Sequence, residues 1–209
     1  FEVKNILRIS PNLVTIYTTK FDIFDTKEFA RIGANVIIGN QFDQFEVKRL
    51  IRINPNLVTI NATKFDIFDT KEFVRLGAKV IIGNQFDQFE IKNLIRISPH
   101  LVTINATKFD VFDTNKFVTL GAKVIIGNQF TKFDLIRIIG INPNLITLNS
   151  TKYDRFEMQE FIRSGVKIII GNQFDKFEVK EIIKVNPVAI TINATKFSKS
   201  EIKEIVEAF

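Results

Sequence analysis

The chain has 209 residues, 45% hydrophobic and 25% charged, which suits a folded protein with a sizeable core and excludes a disordered one. It holds no Cys and a single His, His100, so disulfides, thiolate metal sites and any site that needs two imidazoles are excluded. The net charge of +6 raises the question of an anionic partner, but both signs are spread along the chain and form no basic cluster.

The chain opens at Phe1 inside a pattern, so an upstream segment is expected. The frame restarts at Phe45, Phe89, Phe133 and Phe177, a period of 44 residues, and no linker interrupts it. Residues 1–209 therefore read as a single repeat domain. An initial helix leads through Pro11 to a first strand near 13–17. Then come a loop ending in Phe21-Asp22, a helix that stops at Gly33, and a second strand near 35–39. Each frame is thus two half-units of 22 residues, with later strands expected near 57–61, 79–83, 101–105, 123–127, 145–149, 167–171 and 189–193.

Helix boundaries follow from local chemistry. Asp66 with Asp69, and Asp87 with Glu90, have the spacing of an N-cap and an N3 acid, which satisfy free backbone N–H groups. Ser198 and Glu201 repeat it and mark a C-terminal capping helix over about 198–208. Helices end at Gly77-type positions, where the backbone can turn left-handed, or before Asn54-Pro55. Val47, Leu50 and Ile51 make one buried stripe.

Iterated strand–helix units build either a closed barrel or an open array. A (β/α)8 barrel typically needs about 250 residues and eight strands. Closure would also point Lys79, Lys123 and Lys167 inward, at a desolvation cost. The expected fold is therefore α/β: an open right-handed β-α solenoid, with a parallel sheet on the concave face and helices on the convex face.

Val58, Ile60, Thr63 and Phe65, and again Val102, Ile104, Thr107 and Phe109, follow the strand order of the leucine-rich repeats. The chain resembles that family in architecture, with Phe and Ile replacing most of the Leu. The resemblance implies a curved solenoid that recognises a macromolecule rather than catalysing a reaction.

The Phe columns at Phe21, Phe24, Phe29, Phe42 and Phe45 and their repeats read as a core spine. Asn84 and Gln85 and their repeats read as bonds between stacked turns, and His100 as a surface turn residue. Tyr17 and Thr18, and the stretch Tyr153, Arg155, Glu157, Met158, Gln159, Arg163 and Ser164, break the repeat and mark candidate contact surfaces. On the concave face the candidate partner-binding residues are Leu57, Thr59, Asn61, Lys79, Ile81, Leu101, Thr103, Asn105, Lys123, Ile125, Lys167 and Ile169. Leu13, Ile37 and Leu145 extend the same apolar strip.

The functional expectation is a non-enzymatic scaffold that binds a protein or peptide, because nothing supplies a nucleophile with an activating base. The alternatives are a binder of an anionic polymer or polysaccharide along the concave face, and a structural spacer or engineered repeat. No catalytic, cofactor or metal site is expected, nucleic acid is disfavoured, and no apolar run is long enough for membrane insertion. Self-association through the N-terminal edge or the concave face is the other partner expectation.

Overall fold

The fold is that of a computed structural model, which describes residues 7, 11, 14–149 and 151–207. The initial helix (Leu7 apart), Leu13 and the expected edge at Phe1 lie outside the described residues. The chain divides into two compact units, Phe1–Asn105 and Ala106–Phe209.

In the first unit, β1 (Thr15–Tyr17), α1 (Ile23–Ile32), β2 (Asn35–Ile38), α2 (Gln44–Ile51) and β3 (Val58–Asn61) lead to α3 (Ile67–Arg75). β4 (Lys79–Ile82), α4 (Gln88–Ile95) and β5 (Val102–Asn105) complete it. Its strands pair in chain order, all parallel, with Ile16 beside Val36, Val36 beside Val58, Ile60 beside Val80 and Val80 beside Val102. The second unit holds α5 (Val111–Thr119), β6 (Lys123–Ile126), α6 (Lys132–Ile139), β7 (Ile146–Leu148) and α7 (Arg155–Arg163). It ends with β8 (Lys167–Ile170), α8 (Lys176–Ile183), β9 (Ile190–Ile192) and α9 (Lys199–Val206). Its strands are likewise parallel and in chain order.

The core lies between helices and sheet. Val58, Ile60, Val80 and Ile82 point from the strands to Phe73, Val74, Ile91 and Leu94 on the helices, all of them buried. The caps are those the sequence spells. Asp66 accepts from Asp69 N, while Asp87–Glu90, Asp154–Glu157 and Ser198–Glu201 close full capping boxes. Gly33, Gly77, Gly121 and Gly165 adopt positive φ at the ends of α1, α3, α5 and α7.

Three expectations need correction here. The lysine argument against closure fails, because Lys79, Lys123 and Lys167 are the first residues of their strands and stay exposed at the strand ends. Lys79 Nζ reaches solvent and donates to Asn56 O at 3.0 Å, so a parallel sheet of either kind accommodates it. The preference for an open solenoid with a concave sheet loses that ground.

The second concerns the phenylalanines, of which two of the five columns are not core. Those at Phe24, Phe45 and their repeats among the described residues are exposed. Helical phase explains it: Phe45 precedes the buried Leu50 by five residues, about 140° around the helix. The third concerns the repeat-breaking stretch. Tyr153 and Met158 are buried, and Tyr153 Oη donates to Phe130 O at 3.3 Å, so they belong to the core rather than a contact surface.

Candidate functional site

In each unit the C-terminal ends of the strands carry two alternating loops. The loop after odd strands follows the pattern Ala-Thr-Lys-Phe-Asp of Ala62–Asp66, with Thr18, Ser150, Tyr153 and Ser198 as departures; the loop after even strands follows Gly-Asn-Gln-Phe-Asp, as at Gly83–Asp87, with Thr131 as the departure. Gln85 ties the two together: its Nε2 donates to Ala62 O at 2.9 Å and its Oε1 accepts from Gly83 N at 2.9 Å. Ala62 N donates in turn to Ile81 O at 2.9 Å. Gln129 repeats the arrangement with Ala106 and Gly127, and Asn128 exchanges bonds with Thr151. These amides satisfy backbone groups of neighbouring turns, as the sequence suggests. Thr18, which replaces Ala at this column, is buried, and Gln41 Nε2 donates to its hydroxyl at 2.8 Å.

The helices begin immediately beyond these loops, and the second residue of each of α1–α8 is a phenylalanine. The eight rings are between 65% and 76% exposed. A cation lies beside most of them: Lys48 Nζ is 5.7 Å from the Phe45 ring, Lys92 Nζ 5.5 Å from Phe89, and the Arg155 guanidinium 4.6 Å from Phe156. The sequence reading missed this row, although the helical phase of these positions against the buried stripe was there to find it.

An open groove of about 410 Å³ lies on this edge in the first unit. Thr63, Lys64, Phe65, Asp66, Ile67, Phe68, Gln85, Phe86 and Glu90 line it. Apolar and polar side chains share its lining, and most of the polar groups already have partners. Lys64 Nζ donates to Asn40 O at 2.8 Å, Asp66 Oδ1 accepts from Asp69 N, and Glu90 Oε2 accepts from Asp87 N at 3.0 Å. Each carboxylate keeps its second oxygen as an acceptor, and two acids face one lysine. Beside it, burial and the Asp66 charge push the Asp69 carboxyl above its usual range, with Lys48 opposing them.

The partner-binding residues expected from the sequence lie on the other face of the sheet. Thr59 pairs with Lys79, Asn61 with Ile81, and Ile81 with Thr103. In the second unit Ile125 pairs with Thr147, Lys167 with Thr147, and Ile169 with Thr191. Leu57 and Leu101 sit in 3-10 turns ahead of their strands. The three lysines are exposed, while the Leu, Ile, Thr and Asn side chains of this set are half-buried. Neighbouring side chains along the sheet therefore shield much of the strip that the sequence left open. Among the described residues no cluster of potential ligands could hold a metal ion, and no helix is long and apolar enough to cross a membrane.

No family model matches the chain, and no curated protein matches it. Solved structures do. The chain is similar to 3-keto-L-gulonate-6-phosphate decarboxylase from Vibrio cholerae, with 13% identity and a TM-score of 0.49 over 94% of this chain and 97% of that one. It is similar to a proposed lyase/mutase from Burkholderia cenocepacia, with 10% identity and a TM-score of 0.40 over 91% and 79%. The dihydropteroate synthase of Xanthomonas albilineans follows, with 10% identity and a TM-score of 0.36 over 94% and 92%.

These neighbours are TIM-barrel-like enzymes, not leucine-rich repeats. The expectations of a leucine-rich-repeat-like solenoid and of a non-enzymatic scaffold, polymer binder or spacer are corrected on that finding. The chemical ground for excluding an enzyme was also too broad. Lacking a nucleophile with an activating base excludes one kind of covalent catalysis and leaves acid–base chemistry by Lys, Asp and Glu untouched. At these identities and scores the neighbours' reactions, substrates and residue roles do not pass to this chain. What the chain shares with them is a likeness of parallel β/α architecture.

Proposed function

We propose that the strand C-terminal edge is the working surface, and that its groove in the first unit binds a small molecule with an aromatic or apolar body and a hydrogen-bond-donating or cationic group. The groove itself carries the reading. It lies at the ends of β3 and β4, where ligands of parallel α/β sheets bind, and its volume falls within the range of small-molecule sites. Phe68 offers an exposed ring face, and Phe65, Ile67 and Phe86 supply apolar contact. The spare oxygens of Asp66 and Glu90 favour a donor over an acceptor. The capped starts of α3 and α4 disfavour an anion, because Asp66 and Asp87 already occupy the N–H groups that would bind it.

Ligand-observed NMR with 2-phenylethylamine and 3-phenylpropionate as probes tests this. The amine binds more strongly than the carboxylate to the native chain, and Phe68→Ala weakens it several-fold. Equal response to both probes, or unchanged binding of the amine to Phe68→Ala, would overturn the reading.

A further inference from the structure

One helix of the second unit departs from its repeats on its outer face. Where α2 carries Lys48 and the C-cap Arg52, and α4 carries Lys92 and the C-cap Arg96, α6 carries Ile136 and the C-cap Gly140. Lys180 and Lys184 keep both cations on α8. The cation of Lys48 binds across to the next helix, with Nζ 2.7 Å from Glu72 Oε2. In α6 that duty has moved one turn back to Lys132, whose Nζ lies 3.3 Å from Glu157 Oε1 and 3.2 Å from Glu160 Oε2. Relocating the bridge frees position 136 for an apolar side chain, which the unit leaves about half uncovered. Ile136 is 48% exposed and Phe133, one turn away on the same face, is 70% exposed.

Phe133, Ile136 and Gly140 follow at i, i+3 and i+7 and so share one stripe of the helix. A Cβ at Gly140 would meet only carbonyls of its own helix, at 3.5 Å, so the stripe ends in open space. We propose that this stripe of α6 is a self-docking face, on which a second copy of this chain packs its own α6 in antiparallel orientation.

Three observations favour a second copy. The face is self-complementary: a two-fold axis near Ile136 and Arg137 brings Phe133 of each copy over Gly140 of the other, about 10 Å along the helix. A large ring then enters the space of a missing side chain. Charge changes in the same direction. Positions 136 and 140 correspond to cations in α2, α4 and α8; α6 has lost both and keeps one cation here, Arg137, held 6.0 Å from its own Phe133 ring. Area is the third. Phe112 and Phe156, on the helices before and after α6 in the chain, are 73% and 66% exposed. With Phe133 and Ile136 they offer on the order of 500 Å² of apolar surface, and a polar rim would bring it near the roughly 800 Å² that each partner of a stable pair buries. None of these residues lines the groove of the first unit, so this pairing and the ligand reading stand or fall separately.

Sedimentation velocity over a concentration series tests it. The native chain shifts from one to two chain masses with rising concentration. Ile136→Lys with Gly140→Arg, the residues that α2 carries at those positions, weakens association by about 10-fold or more while the circular dichroism and melting curve stay unchanged. Ile136→Gln alone gives a smaller shift in the same direction, and it decides the matter if the double variant is unfolded. A native chain that stays at one chain mass up to about 200 µM overturns the proposal, since a weaker pairing would not suit an interface of this size. A folded variant that associates as well as the native chain overturns it too.

Discussion

The ring of Phe65 meets the ring of Phe73 edge to face, with centroids 5.0 Å apart and planes at 89°. The contact joins the loop after β3 to the middle of α3, and Phe21–Phe29, Phe109–Phe117 and Tyr153–Phe161 repeat it. Only Phe73 of the pair is completely buried, under Val58, Ile60 and their neighbours in the core.

Phe73 and Phe68 lie on the same helix and should differ sharply in their effect on stability. Phe73→Ala leaves a cavity in a packed core and costs about 3–5 kcal/mol. Phe68→Ala removes a ring that is mostly in water and changes stability by about 0.5 kcal/mol or less. Urea unfolding of both variants measures the difference. Similar losses for the two would show that the Phe68 column belongs to the core after all.

Gly77 closes α3 at φ +92°, and a Cβ there would lie 3.2 Å from Cβ of Pro55. Gly77→Ala therefore combines left-handed strain with a tight contact against a rigid ring, and should cost about 1–2 kcal/mol or more. The same substitution at Gly121, with φ +90°, should cost about as much. Denaturant midpoints of the two variants test this. A neutral result at both would show that the helix end can be rebuilt without the left-handed residue.

The last helix carries a pH dependence with a definite sign. The backbone N–H and then the hydroxyl of Ser198 hold the Glu201 carboxyl below its ordinary value of 4.5. A depressed folded-state pKa contributes stability that is complete above the unfolded value and is lost as pH falls through the lower folded one. α9 should therefore fray when the pH is taken from neutral to below the usual glutamate range, with loss of hydrogen-exchange protection over residues 199–206. Glu201→Gln should remove most of that dependence, whereas Ser198→Ala, which keeps the backbone N–H, should remove only part of it. Protection that is independent of pH in the native chain would contradict the assignment.

Features that a short stretch decides by itself were legible in the residues alone. Strand positions fall within two residues of those read from the 22-residue spacing. The caps at Asp66, Asp87 and Ser198 and the left-handed glycines stand where their neighbours require them. Hydrogen bonds over three residues and steric limits on φ act within one turn of chain, so they need no knowledge of the rest. The exposure of Phe24 and Phe45 is legible in principle from helical phase alone, although the regularity of the aromatic columns suggests a core spine.

Other features depended on residues brought together from distant parts of the chain. Gln85 finds Ala62 O 23 residues away, Lys48 finds Glu72 on the next helix, and Lys132 takes over that bridge in α6, which leaves Ile136 about half uncovered. Half-burial of Ile81 and Ile125 likewise depends on side chains of adjacent strands, so alternation could say which way they point but not how much water reaches them. Alternation and spacing act along one strand or helix and carry over from the sequence. Shielding, ion pairing between helices and the shape of a groove depend on the distance between elements, which only the packed structure sets.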